Sequence, residues 1–447
     1  MKAVRHILRH RPLRFIFAAN VISMLGSGMN TAAVTWSILQ KTHSEMDLGL
    51  LAVLTTLPGM LMLPFTGVII DREDRRHLLM LLDLGRGAVV LVVAVMALRG
   101  PVHTWQLYLM SMLVAAGFWM FWPTITALIQ EMTPEAEFVH SNTFLLAGVQ
   151  GGWLMAGALV GFVYDHIGLG GVLLIDCATY AASFLCYFFV RRGRQVVEHP
   201  ETGPRPQGAV GRYFHELHEG IAFLKGKPYV VLLGTSWALF IGAMLTQSVI
   251  TAPLSDRVLH AGAVGFGWLN GGWGMGAFLS VLYSPLVIRT RGARHSVGFS
   301  MALLALCQFS LPFSHWLVIA VAIYAVMGSA RGVGGIAISS TMMEVVPKHF
   351  MGRVQNTFYF AGTVLQMAFG YLVGIAAHKL ALSVGFFVVG TMYAVAAVTA
   401  MWPVAPPEKY LEPEPVAAEG SLPLEVGAGR AHGEVVPADP GHDSERG

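Results

Sequence analysis

The sequence predicts an all-α polytopic membrane protein with twelve transmembrane helices in two six-helix halves. Composition is the first observation: 12% of the 447 residues are charged and 55% are hydrophobic, where soluble domains carry roughly 25% charged residues. The second is a series of apolar runs at about 13–38, 48–70, 77–98, 105–129, 143–164, 168–190, 229–253, 264–288, 297–313, 316–343, 357–377 and 382–402. At ~1.5 Å per helical residue each is of a length to cross a hydrocarbon core of ~30 Å. Leu, Ala, Met and Gly dominate the runs without apolar/polar alternation, so helices are expected rather than a barrel. The third observation is an internal repeat. Glu131-Met-Thr-Pro134 and Asn142-Thr-Phe-Leu-Leu-Ala-Gly148 recur as Glu344-Val-Val-Pro347 and Asn356-Thr-Phe-Tyr-Phe-Ala-Gly362, offset by 213 and 214 residues. Both copies fall between the fourth and fifth span of their half, so the halves repeat in parallel orientation.

Lys2, Arg5, Arg9, Arg11 and Arg14 precede the first run, which is of span length with no small-residue cleavage site, so a retained first helix is expected rather than a signal peptide. Within it Asn20, Ser23, Ser27 and Asn30 form one polar stripe at i, i+3, i+7 and i+10. Such a stripe lines a cavity or packs against a neighbouring helix. Between the second and third runs lie the charged residues Asp71 to Arg76. An acid opening a helix binds exposed N–H groups, and arginines there reach carbonyls or acids, here expected on the other half.

Asp83 and Arg86 in the third run are three apart on one face and are expected to pair with each other. The fourth run carries Trp119, Trp122 and Pro123. Asp176 in the sixth is open to two readings, an interhelical hydrogen bond or proton handling. Residues 191–228 are polar and proline-bearing, a linker between a half at 1–190 and a half at 229–402. Gln247 is a polar candidate in the seventh run, and Arg331 lies near the midpoint of the tenth among Gly328, Gly332, Gly334 and Gly335. The repeat places Phe118 opposite Arg331. Residues 403–447, rich in Pro, Glu, Ala and Gly, are expected to be a disordered tail.

With both termini cytoplasmic, the segments on that side hold twenty-one Lys and Arg residues against four outside, Lys41, Arg99, Arg257 and Lys379. Cys177, Cys186 and Cys307 all lie within spans and are expected to pack as small apolar residues, with no disulfide or metal framework. No glycine loop followed by Lys-Ser/Thr is present for an ATP-driven pump. No cofactor, metal or nucleic-acid partner is expected.

The loop Gly67-x-x-x-Asp71-Arg72-x-x-Arg75-Arg76 resembles the signature between the second and third spans of the major facilitator superfamily. With Ser23-Met-Leu-Gly26, Asp83, Arg86, Asn142 and Asp176, the chain resembles more narrowly the branch of bacterial macrolide-efflux proteins and enterobactin exporters, over roughly residues 10–402. Departures accompany the match. Asp74 stands where the signature prefers Gly, which calls for an Asp in the left-handed region; Ser27 stands where the branch often has an acid; the glycines from Gly157 to Gly161 lack the antiporter proline. The second-half loop, Arg289 to Arg294, has the basic residues without the Asp.

The resemblance implies a multi-pass carrier in the cell (inner) membrane, a monomer, working by alternating access with no catalytic residue. Gly67, Asp71, Arg72, Arg75 and Arg76 would form a conformational switch. Asn20, Ser23, Ser27, Asn30, Trp119, Trp122, Gln247 and Arg331 would line the substrate cavity, and Asp83, Arg86 and Asp176 would supply intramembrane charge for proton coupling. The expected function is export of a small amphipathic organic molecule, drug or siderophore-like, that the arginine would suit to an anionic group. Alternatives are a lysophospholipid or other amphiphile transporter and, more remotely, a polytopic membrane enzyme or non-transporting receptor.

Overall fold

A computed structural model describes residues 11–133, 138–190 and 209–404, and these are helical nearly throughout. The spans are Arg11–Thr42, Glu45–Arg72, Arg75–Arg99 and Thr104–Met132, then the fifth and sixth within Phe138–Phe189. After a connecting helix Ala209–Leu224 come Pro228–Thr246, Gly262–Arg291, Ala293–Ser310, Leu317–Val345, Lys348–Lys379 and Leu382–Met401. The seventh span continues through Ser248–Pro253 and a π turn Leu254–Val258. The expected tail lies outside the described residues beyond Val404, as does most of the linker before Ala209.

Among the described residues eleven helices are long and apolar enough to cross a membrane. The twelfth is the first limb of Phe138–Phe189. That helix has 52 residues, or ~78 Å at the usual rise, far more than one bilayer. Gly168, at φ 65° and ψ −173°, breaks it into limbs 138–167 and 169–189. Only glycine adopts that backbone without strain, so one residue serves as the whole turn between two spans.

The first span packs along both limbs of Phe138–Phe189, and the third packs on the fourth and sixth. In the second half the eighth packs on the tenth, the ninth on the tenth and twelfth, and the seventh on the eleventh and twelfth. Two seams join the halves, the second span on the eleventh and the fifth on the eighth. The repeat equates the second with the eighth and the fifth with the eleventh, so the seams are counterparts in a pseudo-two-fold arrangement. Large apolar side chains on the outside, such as Leu282 at 75% and Val318 at 78% exposure, would be costly in water and fit a hydrocarbon surround.

Candidate functional site

The charged turn is built differently from its expectation. The second span runs on to Arg72, so Asp71 lies in the last turn of one helix rather than opening the next. Asp74 opens the third span: its Oδ1 accepts from the backbone N–H of Arg76 at 3.0 Å and of His77 at 3.2 Å, satisfying donors the first turn leaves free. Its φ of −65° is ordinary, so the replacement of Gly by Asp supplies a cap and needs no left-handed residue.

Arg75 Nη1 donates to Ala127 O and Glu131 Oε2, both at 3.2 Å, on the fourth span. Arg76 donates through Nε to Tyr187 O at 2.8 Å and through Nη2 to Phe188 O at 2.7 Å. These carbonyls end the sixth span, where a cation also meets the negative end of the helix dipole. Both arginines therefore tie together spans of their own half, a correction to the expectation that they reach across to the other. Successive spans alternate in direction, so the fourth and sixth end at the face where the third begins. The side chains of Gly67, Asp71 and Arg72 lie outside the described residues.

Inside the first half, Asp83 and Arg86 pair at 2.5 Å with both side chains nearly sealed. Ser183 Oγ donates to Asp83 Oδ2 at 2.6 Å. The guanidinium sits between two rings, 4.5 Å from the Phe121 centroid and 4.7 Å from that of Tyr180, a cation–π contact strengthened by desolvation. Asp176, fully buried, accepts from Asn30 Nδ2 at 2.6 Å and from Thr179 Oγ1 at 3.4 Å. Ser27 Oγ lies 3.0 Å from Tyr180 Oη. Gly26 makes this proximity possible, since a Cβ there would meet Thr179 Oγ1 at 1.9 Å and Asp176 Oδ1 at 2.5 Å.

Ser27 and Asn30 of the polar stripe are thus engaged by the sixth span. Asn20 and Ser23 are buried, and neither side chain has a hydrogen-bond partner among the described residues. Phe121, Tyr180 and Ser183 were not singled out from sequence. Tyr180 and Ser183, four and seven residues after Asp176, share its helix face, and that periodicity was the available signal.

The tryptophans of the fourth span do not meet Arg331. Trp119 Nε1 donates to Thr55 O at 3.2 Å on the second span, and its ring stands edge-on to Tyr359 of the eleventh at 6.0 Å, so it bridges the halves. Trp122, like Phe118, packs against the first-half cluster of Leu13, Ile16, Phe17 and Ile125. Arg331 is instead covered by Trp273 of the eighth span, 4.7 Å from guanidinium carbon to ring centroid, while its Nε donates to Met244 Sδ of the seventh at 2.8 Å. Gln247 is buried at the break in the seventh span, next to Thr251, whose Oγ1 accepts from Tyr324 Oη at 3.0 Å.

A further cluster joins the halves at the face bearing the Thr42–Glu45 turn. Glu45 is completely buried at the start of the second span. Arg257 Nη1 lies 2.6 Å from its Oε1, and His378 Nδ1 lies 3.2 Å from its Oε2. Arg257 Nη2 also donates to His43 O at 2.6 Å. One step further in, Gln366 Nε2 donates to Ala52 O at 3.2 Å. On the other seam a Cβ at Gly161 would stand 2.8 Å from Ala263 O, and one at Gly267 2.9 Å from Gly157 O, so glycines let these helices touch backbone to backbone. Sequence reasoning counted Arg257 only for topology, and nothing in its spacing pointed to Glu45.

Among the described residues no cluster of His, Cys, Asp or Glu could hold a metal ion, and all three cysteines are free. A duplicated twelve-helix bundle with charges placed inside each half and tight seams between halves defines a polytopic membrane transporter. The profile of the Major Facilitator Superfamily matches residues 16–370, and the chain belongs to that superfamily.

Curated relatives include the MFS-type transporter YfiS of Bacillus subtilis, 25% identical over 85% of this chain and 90% of its own length. Macrolide efflux protein A of Streptococcus pyogenes is 22% identical over 84% of this chain and 92% of its own. The multidrug efflux pump Tap of Mycolicibacterium fortuitum is 22% identical over 85% and 94%. Solved structures share the fold at 14% identity. The nucleoside transporter NupG aligns with TM-score 0.66 over 88% of this chain and 98% of its own. A POT family transporter in complex with a thioalcohol-conjugated peptide aligns with TM-score 0.67 over 87% and 95%.

Proposed function

We propose that this chain is a secondary active exporter of a small amphipathic organic molecule, drug or siderophore-like, driven by exchange with protons. The observation that carries this reading is the similarity to efflux proteins across 84–85% of the chain. The bias of Lys and Arg supports a cytoplasmic Arg75 face and cytoplasmic termini, and the similarity to efflux proteins supports the cell (inner) membrane. The Glu45 cluster then lies at the outer face, where it and the glycine seam close the bundle while the halves, 1–190 and 229–402, rock as units. The carrier acts as a monomer, and its cycle includes no catalytic step.

Asp83 serves the fold, since its two oxygens are taken by Arg86 and Ser183. Asp176 carries the coupling proton, because its partners Asn30 and Thr179 bond a neutral carboxyl group as well as an anion. Asn30 lies on the first span, so a proton on Asp176 changes the contact between the first and sixth spans within the first half. Arg75 and Arg76 clamp the cytoplasmic ends of the third, fourth and sixth spans, so that the charged turn moves with its half as a rigid body.

The test is accumulation in cells of matched dyes, macrolides and siderophores, with and without the chain. Lower accumulation that a protonophore reverses supports the reading. Equal accumulation across the panel, with the protein shown to be in the membrane, refutes it.

A further inference from the structure

Each half holds one arginine inside its bundle by a tyrosine of its last span, and the two arginines are compensated differently. Tyr180 and Tyr393 are 213 residues apart, the offset that also relates Glu131 to Glu344. Arg86 lies against the Tyr180 ring, paired with Asp83 and within electrostatic range of Asp176. Arg331 lies within electrostatic range of the Tyr393 phenol. Among the described residues no carboxylate approaches Arg331 within ion-pair distance; its side chain meets Met244 and Trp273. The same offset carries Asp83 to Ser296 and Asp176 to Val389, so neither of these two acids has a counterpart in the second half.

Arg331 is fifteenth in the 29-residue helix Leu317–Val345, close to the middle of the bilayer. A charge at that depth is retained where it is paired or serves a solute pathway. The guanidinium is held from two sides, by Met244 Sδ at Nε and by the indole of Trp273 on its face. Arg86 Nη1 is sealed away without a partner, whereas no nitrogen of Arg331 is sealed in that way and the residue is partly accessible. Two turns along the same face, Tyr324 and Thr251 form a hydroxyl pair. The result is a fork of N–H donors fixed at Nε and on one face, with the residue still partly accessible, which matches a carboxylate in two-point contact.

We propose that Arg331 is the anion-recognition residue of the transport site, and that the substrate class is a carboxylate-bearing amphiphile with its carboxylate on the free edge of the guanidinium. Trp273 is a positioning residue that fixes the plane of the fork. This rests on the transport reading above and narrows its substrate. The entering carboxylate supplies the counter-charge that the second half lacks, so a neutral isostere leaves the charge uncompensated and binds less tightly.

The experiment uses the purified full chain and two probes of equal shape, naphthoate and naphthalene methanol, with binding read from the thermal unfolding midpoint over a concentration series. The wild type should bind naphthoate on the order of 10–100-fold more tightly than the alcohol, as expected for a desolvated charge pair. Arg331→Gln should erase the difference, and Arg331→Lys should restore part of it. Equal binding of both probes by the wild type overturns the proposal, as does undiminished naphthoate binding by Arg331→Gln. Preference for lysophosphatidate over naphthoate assigns the fork to a lipid headgroup and overturns it too. Flux in proteoliposomes separates this proposal from the transport reading. Movement of neutral amphiphiles without anions removes the anion site alone, while Arg331-dependent naphthoate binding without flux of any solute supports the site and removes the exporter.

Discussion

Glu45, with no exposed surface, and Arg257 form an ion pair at 2.6 Å that spans the two halves of the bundle. The contact is Coulombic rather than a well-directed hydrogen bond, since Glu45 Oε1 has none. His378 holds the other carboxylate oxygen, so one acid of the first half is gripped by two bases of the second. Removing one partner of a buried pair typically costs about 3–5 kcal/mol. With Arg257 39% exposed, solvent screening reduces the expected cost to about 1–3 kcal/mol. Arg257→Ala should therefore loosen this contact between the halves, read as faster reaction of an impermeant thiol reagent with a cysteine placed at Ala52 in a cysteine-free background. The exchanged pair Glu45→Arg with Arg257→Glu should slow it again. Unchanged labelling in the single variant would show that the pair does not hold the halves.

The glycine seam makes a separate prediction. Gly161→Leu places a Cβ 2.8 Å from Ala263 O, backbone that cannot yield as a side chain would. The fifth and eighth spans must separate, at a cost of about 1–3 kcal/mol, and the unfolding midpoint should fall. Gly151→Leu, on the same span with nothing within 4 Å of its Cβ, should leave the midpoint close to wild type. Equal effects of the two would assign the loss to helix composition instead of the seam.

The number of spans, most of their limits and the duplication were legible in the sequence, because apolar length and a repeated motif are local signals; the eleventh helix begins at Lys348, well before the expected 357, because its first turns are polar. The pairing of Asp83 with Arg86 was legible for the same reason, as residues three apart on a helix share a face. The Glu45–Arg257–His378 cluster was not, since its members sit on three spans and become neighbours only through the packing of the second span on the eleventh. The partner of Arg331 was missed on similar grounds. Repeat symmetry pointed to the fourth span, whereas the side chain turns within its own half toward Trp273. The charged turn was recognised by composition, but the acid that caps the third span is Asp74 and not Asp71.

Asp83 and Asp176 should separate in their effects. Asp83→Asn leaves Arg86 without its counter-ion in the core and should destabilise the fold by about 3–5 kcal/mol, lowering the unfolding midpoint and the yield of folded protein. Asp176→Asn keeps the shape of the side chain beside Asn30, so the midpoint should stay near wild type. That variant should lose flux driven by a pH gradient while keeping substrate exchange at equal pH. Gradient-driven flux at the wild-type rate in Asp176→Asn would place the proton elsewhere.

At the end of the bundle that bears the charged turn, Arg76→Ala strips two donors from the carbonyls that close the sixth span. Loss of charge-assisted hydrogen bonds at a partly exposed site should cost about 1–2 kcal/mol. Arg76→Lys recovers part of this, because a lysine cannot place two donors in the geometry of the fork. Thermal unfolding of the three proteins in one detergent measures it. Equal midpoints would mean that the arginine clamp contributes nothing to the first half.

Net movement of solute by the purified protein is the most direct measurement of all. In proteoliposomes without ATP, an imposed pH gradient should drive accumulation of a member of the dye, siderophore and carboxylate panel above its equilibrium level. A protonophore and Asp176→Asn should each abolish that accumulation. Solute levels no different from protein-free liposomes across the panel, with correctly folded protein in the bilayer, would contradict proton-driven export.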